Sequence, residues 1–161
     1  MEKIIISIAL LVVFSSMVLA PELDYMRMFY DRLLLHYAQT LPYFDIILEY
    51  CYNFRVDVIL VLNVIKAESG FKTNALSHKG AIGLMQIHPL LAKQYGFNED
   101  DLYIVRINLL IGIRHLSYLL NKYKSQKLAL MCYLCGEYFV YRDYFRAEKI
   151  SRSYIKKILG E

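Results

Sequence analysis

Apolar residues recur at three- and four-residue intervals along almost the whole chain, and nowhere do they alternate strictly between turn signals. That periodicity predicts an all-α fold, helix packed on helix with no sheet. Met26, Phe29 and Leu33 mark a helix over 23–36, and a second apolar run over 43–52 follows the break at Pro42. Residues 53–56 read as a turn. Asp57 to Glu68 is then apolar almost throughout until Lys66 and Glu68, the pattern of a buried helix. Residues 69–83 hold Gly70, Gly80 and Gly83 with Asn74, Ser77 and His78, the composition of an irregular loop, after which 84–95 resumes a helical pattern. Asn98, Asp100 and Asp101 resemble a helix start, leading into a helix over 104–123. Helices over 128–144 and 148–159 complete the chain. Its 161 residues, 57% of them hydrophobic, suffice for one domain with a sizeable core. Seven Gly and three Pro are too few for a low-complexity or disordered chain.

The first twenty residues run Met1-Glu2-Lys3, then apolar from Ile4 to Val13, then Ser15-Ser16 and Val18-Leu19-Ala20. This is the layout of a secretory signal and predicts an exported protein of the periplasm or cell envelope. Val18 and Ala20 suit cleavage, whereas Pro21 disfavours it. Retained, the 17 residues from Ile4 to Ala20 reach the lower limit for a membrane anchor.

Cys51, Cys132 and Cys135 are an odd number and cannot form a complete intrachain disulfide set. Cys132 and Cys135 form a C-x-x-C, but no strand precedes it, so a thioredoxin-like role fails on context. His36, His78, His88 and His115 lack metal-ligand spacing, and no metal or cofactor is expected. The net charge of +4 favours anionic surroundings without naming them. Basic residues are scattered through helical patterns except between Arg142 and Lys157, which disfavours nucleic acid as a partner. Fifteen Tyr beside no Trp accompany abundant Ile and Lys, so the tyrosines alone do not argue for a sugar platform.

Glu68 ends a nearly all-apolar helix and is followed at once by a Gly-containing loop. Half-desolvation raises a carboxyl's pKa, as a general acid working near neutral pH requires, although a solvated helix end would carry the same residue. The stretch Glu68-Ser69-Gly70-Phe71, then Ser77 nine residues after the Glu, then Gly80-Ala81-Ile82-Gly83-Leu84-Met85-Gln86, resembles the soluble lytic transglycosylase family of the lysozyme-like superfamily. Downstream, Asn108, Gly112 and Leu116 match that family's N-x-x-x-G-x-x-x-L helix. Ala129 and Tyr133 match its A-x-x-Y-N-A-G-P helix, and 153–159 resembles its closing helix with Tyr154 embedded.

The resemblance implies a lysozyme-like helical domain over 45–161, with 21–44 as a helical extension and 1–20 as signal or anchor. It implies cleavage of the β-1,4 bond between N-acetylmuramic acid and N-acetylglucosamine in peptidoglycan strands, closing a 1,6-anhydro ring. Glu68 would be the single acid and base, with the substrate's 2-acetamido group stabilising positive charge, so no second carboxylate is needed. Ser77, Gly83, Gln86, His88, Tyr133 and Tyr154 would bind substrate. Ser77 and Gln86 offer groups able to orient Glu68 or the acetamido group, and Gly80 and Gly83 permit close backbone approach to a sugar. Tyr133 and Tyr154 fit either a phenol beside Glu68 or a core aromatic. Asp100 and Asp101 fit helix capping better than catalysis.

Three departures stand out. Tyr133-Leu134-Cys135-Gly136-Glu137 replaces Y-N-A-G-P, His88 precedes Pro89 where Met or Thr is usual, and Lys72-Thr73 replaces Asn-Pro. A lysozyme-type hydrolase on the same fold is the nearest alternative, and the altered 134–137 segment also fits a weakly active wall-binding domain of an envelope-spanning apparatus. Small members of the family often serve a secretion or motility apparatus, which would be a further partner.

Overall fold

The computed structural model describes residues 21–160. The expected signal or anchor falls on residues 1–20, outside the described residues. The chain divides between Pro42 and Tyr43 into two units. In the first, α1 (Pro21–Thr40) is closed by the Thr40 hydroxyl donating to His36 O at 2.8 Å and is followed by Pro42.

The second unit is helical, as the periodicity predicts: α2 (Phe44–Phe54), α3 (Val58–Ser69), α4 (Pro89–Gln94), a 3-10 turn (Asp100–Tyr103), α5 (Val105–Tyr123), α6 (Gln126–Cys135), α7 (Glu137–Arg142) and α8 (Tyr144–Leu159). Among the described residues there is no strand, only two isolated bridges, Leu76 to Ile82 and Ile82 to Ile87. α5 packs on α2 and α6, and α8 packs on α3 and α6. Ile47, Leu62, Ile65, Leu84, Met85, Ile111 and Leu116 fill the interior between them, each fully buried. Side chains of that size stabilise a fold by roughly 1.5–3 kcal/mol apiece.

Helix ends follow local chemistry. Asp57 accepts from Leu60 N at 2.8 Å to start α3, and Gly70 ends it at φ 59°. Asp143 starts α8 by accepting from Arg146 N at 3.1 Å. Two expectations are corrected. The helical pattern over 84–95 yields a helix only from Pro89, because Gln86 is left-handed (φ 49°) and Ile82 and Ile87 exchange backbone hydrogen bonds across a tight turn. The single helix expected over 128–144 is two, broken where Gly136 takes φ 81° and ψ 140°. No helix among the described residues is long and apolar enough to cross a membrane.

Candidate active site

Glu68 owes its burial to its place on α3. Val61, Val64 and Ile65 are buried, and Glu68 follows at i+7, i+4 and i+3, so it continues the inward stripe. Desolvation raises its pKa to about 7, against the opposing effect of a hydrogen bond from Tyr154. That bond is short, the Tyr154 hydroxyl donating to Glu68 Oε1 at 2.6 Å, and it reaches across from α8, which packs on α3. A carboxyl shifted this far toward neutral pH can both give and take a proton.

Tyr133 on α6 forms the neighbouring wall. Its hydroxyl donates to Met85 O at 2.9 Å, and burial, then the charge of Glu68, then Tyr95 push its pKa well above the usual phenol value. Tyr154 is shifted the same way by burial, then by Glu68 and Tyr133. Both phenols therefore keep their protons and serve as neutral donors. The structure thus brings Tyr133 and Tyr154 to Glu68.

The loop of residues 70–88 faces this wall. Tyr43 donates to Phe71 O at 3.1 Å, and Gly83 N donates to Ala75 O at 2.8 Å. Ser77 Oγ accepts from Ala81 N at 2.9 Å and Lys79 N at 3.3 Å, while Gln86 Nε2 donates to Gly83 O at 2.9 Å and Ala75 O at 3.3 Å. The bonds made by Ser77 and Gln86 thus hold the loop's own backbone. His88 is exposed and caps α4, its Nδ1 accepting from Leu90 N at 3.3 Å. Asp101, within the 3-10 turn, accepts from Asn98 N at 2.8 Å and so ties the preceding loop to the turn.

Asn108 is the main residue whose role sequence reasoning missed. Buried on α5, its Oδ1 accepts from Met85 N at 2.9 Å, and its Nδ2 donates to Ile82 O at 2.8 Å and Leu102 O at 2.9 Å. A Cβ on Gly83 would lie 2.7 Å from Asn108 Cγ, so this glycine, also at φ 77°, is demanded by the amide that pins the loop. Gly112 makes room for Met85 in the same way, a Cβ there lying 2.7 Å from Met85 Cβ. The N-x-x-x-G spacing was the available signal, since it puts both residues on one helix face.

Behind Tyr133 lies His115, its ring 5.9 Å from that of Tyr133 and stacked on Tyr118 at 6.1 Å. Burial lowers its pKa, partly opposed by the charge of Glu137, which leaves the ring neutral at pH 7. Of the departures, Leu134 is 38% exposed and so is not a core residue. Glu137 pairs with Lys122 and accepts from the Tyr123 hydroxyl at 2.9 Å. Partial burial pushes the Glu137 carboxyl up, but these bonds outweigh it and hold its pKa below the usual carboxylate value. Cys51, Cys132 and Cys135 are free thiols, and no group of three His, Cys, Asp or Glu among the described residues could hold a metal.

An all-helical domain with a largely desolvated carboxyl at a helix end, opposite a pinned loop, is of the lysozyme-like class. The chain belongs to the transglycosylase SLT domain family, whose model matches residues 45–155. Membrane-bound lytic murein transglycosylase E of Buchnera aphidicola subsp. Baizongia pistaciae (strain Bp) is 37% identical over 92 residues, 52% of this chain and 43% of that protein. The chain therefore spans less than half the length of that relative. Among solved structures, the 70 kDa soluble lytic transglycosylase of Escherichia coli matches with a TM-score of 0.64 at 21% identity, over 80% of this chain and 25% of that one. An inactive Glu-to-Gln variant of lytic transglycosylase Slt from Pseudomonas aeruginosa matches with a TM-score of 0.61 at 18% identity, over 86% and 28%. At such identities these likenesses show a shared fold.

Proposed function

We propose that this chain is a lytic transglycosylase of the cell envelope, cleaving the β-1,4 bond between N-acetylmuramic acid and N-acetylglucosamine with Glu68 as its single acid and base. The observation that carries this reading is the Glu68 carboxyl, raised to a pKa of about 7 by burial and held at 2.6 Å by Tyr154. Family membership and the curated relative support the substrate class.

Protonated Glu68 gives its proton to the glycosidic oxygen as the bond to C1 of the muramyl unit breaks. The substrate's acetamido group stabilises the positive charge at C1. Glu68, now a carboxylate, takes the proton of the C6 hydroxyl as that oxygen bonds to C1, which restores the acid without consuming water. The Tyr154 hydrogen bond favours the charged form between the two steps. Attack by C6 is favoured because that hydroxyl is tethered to the reacting ring, and effective molarities for well-oriented groups reach about 10⁵ M or more. In this reading Ser77, Gln86 and Gly83 shape the loop, Tyr133 walls the site, and His88 lines its outer edge.

Digestion of purified peptidoglycan followed by mass spectrometry tests the reaction. The expected products carry anhydromuramyl ends, lighter by one water than reducing ends. Predominantly hydrated, borohydride-reducible ends would replace this assignment with a lysozyme-type hydrolase.

A further inference from the structure

Two arginines stand apart from the rest of the basic C-terminal segment. Arg142 and Arg146 line a groove of about 260 Å³ with Tyr138, Phe139 and Asp143. The Arg142 guanidinium lies 5.6 Å over the Tyr138 ring, and that of Arg146 lies 5.9 Å over Phe139. Stacking of this kind fixes the plane of a guanidinium and leaves its N–H edge free for a carboxylate. Among the described residues neither arginine has an ion-pair partner, whereas Arg106 is paired with Glu49 and Arg152 with Glu148. Asp143, the groove's own carboxylate, is committed to capping α8 through Arg146 N.

The groove's Arg146 and the tyrosine that holds the candidate acid share one ridge of α8. Arg146, Ile150 and Tyr154 are spaced i, i+4 and i+8, so they follow one another along the same flank, and Ile150 is 52% exposed. At 1.5 Å per residue, the Arg146 backbone is about 12 Å along the helix axis from that of Tyr154, the tyrosine that holds Glu68. An extended peptide of three or four residues covers that distance. The other basic groove, lined by Lys127, Glu148, Arg152, Ile155 and Lys156, sits on the opposite flank of α8.

We infer that the groove formed by Tyr138, Phe139, Arg142 and Arg146 seats the carboxylates of the peptide stem attached to the muramyl unit whose bond lies over Glu68. The inference rests on the proposed substrate class and goes beyond it by assigning a second, anionic part of the substrate to a separate site. The stem supplies free carboxylates on a short chain. The groove supplies two guanidinium groups without ion-pair partners, each over an aromatic ring, at the reach that a stem has. Arg binds carboxylates through paired N–H bonds, which makes the contact selective for the anion over the neutral glycan.

The test is a titration of the full chain carrying Glu68→Gln, which prevents turnover, with a soluble muramyl tetrasaccharide bearing its stems and with the same tetrasaccharide after an amidase has removed them. The expected result is roughly tenfold tighter binding of the stem-bearing ligand. Adding Arg142→Gln and Arg146→Gln should abolish that difference while leaving affinity for the bare tetrasaccharide unchanged. The exposed Arg142→Lys and Arg146→Lys pair, which keeps both charges, should retain part of it. Equal affinity for the two ligands, or a preference that survives the Gln pair, overturns the inference. So does an equal loss for both ligands, which would make the groove a glycan site. Equal affinities together with arginine-dependent retention on anionic phospholipid vesicles would assign the surface to a membrane instead. Stem preference alongside hydrated cleavage products would overturn the transglycosylase reading and leave the groove standing, and anhydro products without stem preference would do the reverse.

Discussion

The loop of residues 70–88 and the break between α6 and α7 both turn on a glycine at positive φ, yet only the loop is walled in. Gly83, at φ 77°, lies against the buried Asn108 amide and Leu102 O, whereas a Cβ on Gly136, at φ 81°, would meet nothing within 4 Å. Just beyond Gly136 several large side chains face outward, Tyr141 90% exposed and Phe145 83%, although Val140 is buried. A side chain would therefore strain the backbone at both places, and collide with its surroundings only at one.

Paired alanine substitutions break or sharpen this contrast. Gly136→Ala should cost only backbone strain, about 1–3 kcal/mol. Gly83→Ala adds a collision that expels Asn108 from three buried hydrogen bonds, so a loss of about 4 kcal/mol or more is expected in denaturant unfolding. Equal losses would show that the loop is not held through Asn108.

Between the two regions, Tyr154→Phe removes the one bond that favours ionised Glu68. With that bond gone the Glu68 pKa should rise above about 7, the protonated acid should persist to higher pH, and the alkaline fall in kcat should shift upward. A downward shift would mean that Tyr154 does not stabilise the carboxylate. The smallest effect belongs to the open side. Leu134→Asn at a partly exposed position should change stability by less than about 0.5 kcal/mol, as read by thermal melting, and should hold or raise activity. A large loss of stability would show that Leu134 is part of the packing.

Much of this was legible in the sequence, for reasons that differ by residue. Helical spacing announced the fold, and Glu68 at the end of a nearly all-apolar helix suggested a half-desolvated carboxyl, while the stripe of Val61, Val64 and Ile65 that it continues emerges from the burial pattern. A breaker such as Pro42 acts locally, so its meaning can be read locally, whereas Pro89, inside an apolar pattern, proves to be the first residue of α4. The break at Gly136 was obscured by apolar residues on both sides that keep helical spacing. The reason for Gly83 lies in Asn108, 25 residues onward, and that for Gly112 in Met85, 27 residues back, so neither is visible in its own neighbourhood. The same holds for two of the rings around His115, Tyr95 and Tyr133, which come from other stretches of chain, while Tyr118 lies one turn away on α5. Ser77 and Gln86 carry chemistry that suits a ligand, and only three-dimensional geometry reveals the backbone groups they hold.

The central claim is that the Glu68 carboxyl performs both proton transfers, and turnover of purified peptidoglycan by Glu68→Gln tests it most directly. The amide is nearly isosteric but cannot transfer the proton, and loss of a general acid-base group costs about 10²- to 10⁴-fold, with more expected where one group serves both steps. The variant's fold is checked at pH 8. Because burial raises the Glu68 pKa from 4.5 to about 7, the wild-type protein loses stability as pH rises through that window, and Glu68→Gln, which does not ionise, should melt no lower than wild type. A folded Glu68→Gln chain without detectable cleavage is the predicted result; turnover at the wild-type rate would remove Glu68 from the mechanism.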